Sequence, residues 1–182
     1  QVHGTHGVEA DNWLESDPNG ALEADASFTH RTGVACAVMT ADCLPVLFCD
    51  RAGTVVGAAH AGWRGLLDGV LEATMGAMGV PENELMAYLG PAIGPQAFEV
   101  GDEVRAAFVA WSRNAEDAFH PGNPGKWLAN LYLLARQRLS ARGVAQIDGG
   151  DCCTVTDAER FFSYRRDGQT GRMASLIWLD QT

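Results

Sequence analysis

The stretch 33-GVACAVMTADCLPVLFCDRAGTVVGAAH-60 holds three short apolar runs separated by two breaks. Ala35–Met39 is the first run, and Thr40-Ala41-Asp42 interrupts it. Leu44–Cys49 is the second, with Pro45 near its start, where a strand tolerates a missing N–H best. Asp50-Arg51-Ala52-Gly53 is a turn signal. Thr54–Ala59 is the third run and ends on His60. Short apolar runs bounded in this way read as buried strands rather than alternating ones.

Beyond His60 the period changes. Trp63, Leu66, Leu67, Val70, Leu71, Thr74, Met75 and Met78 recur at three and four, which predicts one helix closed by Gly79. A strand at Leu85–Leu89 and a Gly/Pro loop at Gly90–Pro95 follow. Val104, Ala107, Phe108 and Trp111 mark a second helix, and His120–Gly125 a loop. A third helix runs from Trp127 and Leu128 through Leu139, stopping near Gly143. Val144–Ile147 and Ala174–Leu179 read as strands, and the polar, acidic residues 11–27 as loop. No repeat or linker divides the chain, so residues 1–182 are expected to form one α/β domain, with helices covering sheet faces.

Net charge is −10, which argues against a broad basic face for DNA or RNA, since phosphate neutralisation supplies most of that affinity. It leaves room for a small anion held by a few arginines. No apolar run approaches the ~20 residues of a membrane span. The five cysteines are odd in number and not spaced as a secreted disulfide framework, which fits a reducing cytoplasm. The chain opens on Gln1, inside what reads as a motif, so part of a native N-terminus is expected to precede this numbering.

A hairpin centred between Arg51 and Ala52 would set Cys43 directly opposite His60, with Cβ atoms roughly 4.5–5.5 Å apart. A thiolate and an imidazole so placed suit one Zn²⁺-type ion. A lone cysteine near a strand is usually a small buried hydrophobe, and Cys36 and Cys49 are read so. The pairing sets Cys43 and His60 apart. A third ligand is needed, and spacing does not choose among His3, His6, His30 and His120. Ala61-Gly62-Trp63-Arg64-Gly65 then turns strand into helix, bringing a helix start at Gly65 and the Arg64 guanidinium to the same spot.

These residues resemble a known family. Gln1-Val2-His3-Gly4, Thr40-Ala41-Asp42-Cys43-Leu44-Pro45, His60-Ala61-Gly62-Trp63-Arg64-Gly65, Leu89-Gly90-Pro91-Ala92-Ile93-Gly94 and Phe161-Phe162-Ser163-Tyr164-Arg165-Arg166-Asp167-Gly168 are similar to motifs of the bacterial laccase-domain proteins. That family is also called the multicopper polyphenol oxidases, and its members have been described as purine nucleoside phosphorylases. The resemblance runs from Gln1 to Leu179. It implies a compact α/β domain of packed central sheets flanked by helices. It implies a zinc site of His3, Cys43 and His60, so selecting His3 over His6. It implies phosphorolysis of inosine, guanosine, adenosine or methylthioadenosine, and deamination of adenosine.

Two His and one Cys leave a fourth position open on a tetrahedral ion, the pattern of a catalytic site, where bound water loses its proton near pH ~7. Arg64 and the helix start at Gly65 are the expected phosphate holders. Asp42 is a candidate acid/base, though an Asp before a turn also serves as a local cap. Tyr164, Arg165, Arg166 and Arg172 frame an Asp167-Gly168 turn and are expected either to tip an exposed hairpin or to line an anion or nucleobase pocket. Phe161 and Phe162 read as core, and Ser163 lacks a nearby base.

Three other classes compete. A copper-dependent, laccase-like polyphenol oxidase needs many histidines, commonly in His-x-His pairs, and this chain has five isolated ones. A Cys43/His60 amide hydrolase acting on cell-wall precursors needs a reactive thiol. A non-enzymatic zinc-binding protein has little use for an open position. The expected partner is a small molecule, with no nucleic acid and no membrane; oligomeric state is left open.

Overall fold

The computed structural model describes residues 1–11 and 23–180. Strands β1 (Gly7–Glu9), β2 (Ala26–Thr29), β3 (Ala35–Thr40), β4 (Leu44–Asp50) and β5 (Val56–Ala61) come first. Helices α1 (Trp63–Asp68) and α2 (Val70–Met78) follow, then β6 (Leu85–Leu89), β7 (Glu99–Gly101) and α3 (Asp102–Trp111). The chain continues through β8 (Phe119–Pro121), β9 (Lys126–Ala129), α4 (Leu131–Ala141), β10 (Gln146–Gly149), α5 (Tyr164–Asp167) and β11 (Met173–Trp178).

A six-stranded sheet is ordered β1-β2-β5-β4-β6-β10, with β1–β2 and β6–β10 parallel and the other pairs antiparallel. Helices α2 and α4 pack together, with α2 against β2 and β5. β11 and β3 form a second, two-stranded sheet laid on the large one, where Cys36, Val38 and Ala58 meet Leu47 and Ile177. β7-β9-β8 form a third, small sheet beside α3. The α/β class with mixed sheets packed together and flanked by helices is thus the observed architecture. β5, Val-Gly-Ala-Ala-His-Ala, is buried throughout, since it lies between layers and its small side chains let both approach.

The hairpin register differs from the expected one. β4 pairs with β5 through Leu44↔Ala61 and Pro45↔His60, so Cys43 continues level with Gly62 and lies diagonal to His60. The cause is Asp50. Its carboxylate accepts from Thr54 N and Thr54 Oγ1, both at 2.7 Å, and from Val55 N at 3.0 Å, drawing Thr54 out of the strand into the loop. The displacement is two residues, and the side-chain period of a strand is also two, so Cys43 and His60 keep their faces.

Burial opposes ionisation of Asp50, but these hydrogen bonds outweigh it and hold its carboxyl below the usual range. A carboxylate depressed in the folded state stabilises above its unfolded pKa of ~3.9, and that gain is lost as pH falls through the folded value. Asp50→Ala is expected to cost about 2–3 kcal/mol at neutral pH. In urea titrations the gap between wild type and variant should narrow below about pH 4. A gap independent of pH would show that the charge contributes nothing.

Five other expectations change. The helix expected over Trp63–Met78 is broken at Gly69 (φ 97°), whose N–H caps the first piece by donating to Gly65 O and Leu66 O. Trp127 and Leu128 belong to β9, and the third helix starts after Asn130, whose side chain accepts from Leu133 N. β3 alternates strictly between exposed and buried rather than being buried throughout. Phe162 is exposed, not core. Of the acidic stretch read as loop, residues 12–22 lie outside those described, and Ala26–Thr29 is strand.

Candidate metal centre and cleft

Cys43 follows the β3–β4 turn and His60 lies near the end of β5, while His3 comes from the chain's first residues. Their ligand atoms all lie within 4.8 Å of one another, with Cys43 Sγ 4.0 Å from His3 Nε2. The His3 and His60 rings meet edge to face at 4.8 Å. His6, His30 and His120 do not join them: among the described residues this is the one His/Cys/Asp/Glu group drawn close enough to hold an ion.

Asp25 builds this arrangement, and the sequence reading missed it. It is fully buried, and its Oδ1 lies 3.0 Å from His60 Nδ1. The same carboxylate accepts from Val2 N (3.1 Å), His3 N (3.0 Å) and Gly4 N (2.7 Å). Its own carbonyl accepts from His60 N at 2.7 Å. One side chain therefore docks the N-terminal segment and orients an imidazole. With Nδ1 committed to Asp25, Nε2 is the nitrogen His60 has left for an ion, as in carboxylate–histidine–metal arrangements.

The electrostatics suit a cation. Burial pushes the Asp25 carboxyl up, but the His60 contact and the three backbone N–H groups hold it below the usual range. Burial keeps the His60 imidazole low despite Asp25, which favours the neutral form that binds metals. Burial pushes the Cys43 thiol up to about 11; Asp42 adds to this, Arg172 opposes it, and Asp25 adds again. Such a thiol is inert at neutral pH unless a cation displaces its proton. Room is also kept. A Cβ on Gly62 would stand 3.0 Å from Cys43 Sγ and 3.2 Å from His3 Cδ2. The donor set and its clearance fit an ion such as zinc.

Two non-glycine residues, His3 (φ 63°) and Asp42 (φ 89°), adopt the left-handed backbone among those described. Both adjoin the ligand cluster, and strain of this kind concentrates at functional sites. The Asp42 carboxylate accepts from Thr154 Oγ1 at 2.5 Å and from Arg165 N at 2.6 Å. It thereby straps the α5 segment to the ligand loop.

The cluster opens into a cleft of about 680 Å³ lined by Asp42, Arg64, Phe98, Tyr164, Arg165 and Arg172, among others. Two expected lining residues are elsewhere. Arg166 turns away, donating to Thr154 O, Val155 O and Phe161 O and pairing with Asp167. It is buckled there because Ser163 caps α5 by accepting from Arg166 N, so the segment is a helical turn rather than a hairpin tip. Gly65 is buried within α1, where a Cβ would stand 2.9 Å from Gly4 O; it lets the N-terminal segment approach. The helix itself starts at Trp63, capped by Gly62.

Comparison with known proteins adds a second line of observation. The family model described as multi-copper polyphenol oxidoreductase laccase matches residues 1–180. The chain is 60% identical over 180 residues to "Purine nucleoside phosphorylase PA4543" of Pseudomonas aeruginosa, covering 98% of this chain and 72% of that protein. It is 58% identical over 179 residues to "Purine nucleoside phosphorylase YfiH" of Escherichia coli, with the same coverage. Among solved structures, Neisseria meningitidis protein NMB0706 superposes with a TM-score of 0.95 at 58% identity, over 100% of this chain and 73% of that one. YlmD from Geobacillus stearothermophilus gives 0.84 at 30% identity, over 100% and 72%. With one model spanning nearly every residue and relatives this similar in sequence and fold, the chain belongs to the multi-copper polyphenol oxidoreductase laccase family.

Proposed function

We propose that this protein is a zinc-dependent purine nucleoside enzyme that cleaves inosine, guanosine, adenosine or methylthioadenosine by phosphorolysis and deaminates adenosine. The observation that carries this reading is the convergence of His3, Cys43 and His60 at the floor of a cleft of small-molecule size. The relatives' printed names supply the nucleoside and the phosphate. When bound, the ion supplies Lewis acidity and lowers the pKa of a coordinated water.

The chain's own residues do the rest. Asp25 fixes the His60 ring and the His3 backbone. Arg64, lying 4.5 Å over the Trp63 ring, and Arg165 give the cleft walls positive charge for phosphate. Ile93, Phe98 and Tyr164 offer apolar surface to a purine. Asp42 is a candidate acid/base, although both its oxygens are already taken by Thr154 and Arg165. Residues 1–182 act as one domain. All five cysteines are free, which supports a reducing, cytoplasmic setting. No helix among the described residues is long and apolar enough to cross a membrane.

The family's copper name supports polyphenol oxidation as a second reading, but among the described residues there is one three-ligand group and no second cluster. A Cys43–His60 amide hydrolase is disfavoured by the thiol's high pKa. One set of measurements separates them. Protein expressed without added metal is analysed for bound ions, then assayed with inosine plus phosphate, with adenosine, and with a phenol, before and after chelation. The expected result is zinc, phosphate-dependent release of free base, ammonia from adenosine, and loss of both after chelation. Zinc-loaded protein that turns over no nucleoside would sink the proposal.

A further inference from the structure

Arg172 immediately precedes β11, whose first residue, Met173, pairs with Thr40 at the end of β3. This pairing brings Arg172 beside Thr40, and both line the cleft. Thr40 is 2% exposed, and its Oγ1 has no hydrogen-bond partner among the described residues. A buried hydroxyl left without a partner costs about 1–3 kcal/mol, so its retention on a cleft wall points to a ligand that satisfies it.

The guanidiniums nearby are poised in the same sense. Arg172 Nη1 donates to Thr170 O (3.1 Å) and Gly171 O (3.0 Å). Arg165 Nη1 donates to Glu99 O (3.2 Å), with its guanidinium 5.6 Å over the Phe98 ring. Among the described residues each is anchored through one nitrogen, and neither is paired with a carboxylate. Asp42, the acid in the cleft lining, is spent on Thr154 and the Arg165 backbone, and Asp25, buried behind His60, on that ring and the N-terminal segment. Arg64, by contrast, is held only over an indole face, among the described residues. Tethered donors bind an oxyanion with less ordering cost than free ones.

We propose that Arg172 and Thr40, with Arg165, form an oxyanion subsite that seats inorganic phosphate beside the His3–Cys43–His60 cluster. The identity of the anion rests on the phosphorolysis reading. The subsite does not need turnover to be measured.

The test is calorimetric titration of zinc-loaded protein with inorganic phosphate, with ribose 5-phosphate as the competing phosphate source, alongside steady-state inosine phosphorolysis. Arg172→Gln is expected to weaken phosphate binding and raise its KM by about 10–100-fold, the loss of charge-assisted hydrogen bonds. Thr40→Val keeps the shape and removes the orphaned hydroxyl. It should weaken phosphate several-fold while leaving the melting temperature unchanged or raised. Arg51→Gln, on the β4–β5 loop away from the cleft, controls for net charge and should change neither. Phosphate affinity indifferent to Arg172 and Thr40, or a loss confined to ribose 5-phosphate, overturns the subsite even if nucleosides turn over. Phosphate binding that depends on both residues, in a protein that cleaves no nucleoside, upholds the subsite and overturns the phosphorolysis.

Discussion

Asp25→Ala is expected to weaken zinc binding by about 10–100-fold, the usual cost of losing a carboxylate behind a metal-bound histidine. The same change should lower the melting temperature by roughly 6–20 °C, from a loss of about 3–5 kcal/mol. Both effects have one source. The carboxylate is fully buried and satisfies the N–H groups of Val2, His3 and Gly4 together with His60 Nδ1. Alanine removes the one acceptor they share and leaves His60 Nδ1 without a partner in a buried ring. The His3 backbone, held at φ 63°, loses the contact that offsets its strain, so one ligand drifts as the other turns. Asp25→Asn keeps one acceptor oxygen and should fall between wild type and alanine. The measurements are a melting curve and a competition titration against a chromophoric chelator. A variant with a lowered melting temperature but wild-type zinc affinity would show that Asp25 supports the fold without orienting the ligands.

Cys43→Ser carries the second large effect, a loss of nucleoside turnover of at least about 10³-fold, more than an orienting group costs because a ligand itself is gone. Loading adds a sharper reading. The Cys43 thiol is pushed up to about 11, so the apo site is protonated at neutral pH. Binding the ion must expel that proton, and unbuffered titration of the wild type should record it. The serine variant should bind weakly and release no such proton, and excess zinc should restore part of its turnover. A nucleophilic cysteine predicts the reverse: unchanged zinc affinity, no rescue, and covalent labelling of Cys43 by an acyl substrate.

The strands of 35–60 were legible because apolar runs and Gly/Asp punctuation report burial directly. The register between two of them was not, since one side chain, Asp50, decided the loop length through three hydrogen bonds that no periodicity encodes. Gly69 falls inside the periodic run Trp63–Met78, yet its left-handed backbone ends one helix and starts another. At the site, chemistry was readable and support was not. Cys43 and His60 stood out by type and position, and the resemblance supplied His3. Asp25 is one acid among several in a polar stretch, and only the fold shows what it faces. Arg166 and Arg172 are equivalent as letters. Ser163 turns the first away from the cleft, and pairing of Met173 with Thr40 brings the second in.

The Asp42 strap has a consequence for biosynthesis. Its partners, Thr154 and Arg165, lie 112 and 123 residues downstream. A ribosome therefore releases every ligand of the cluster long before it releases the wall that faces them. A transcript broken between these points encodes the three candidate ligands without the cleft wall that carries the proposed anion seat.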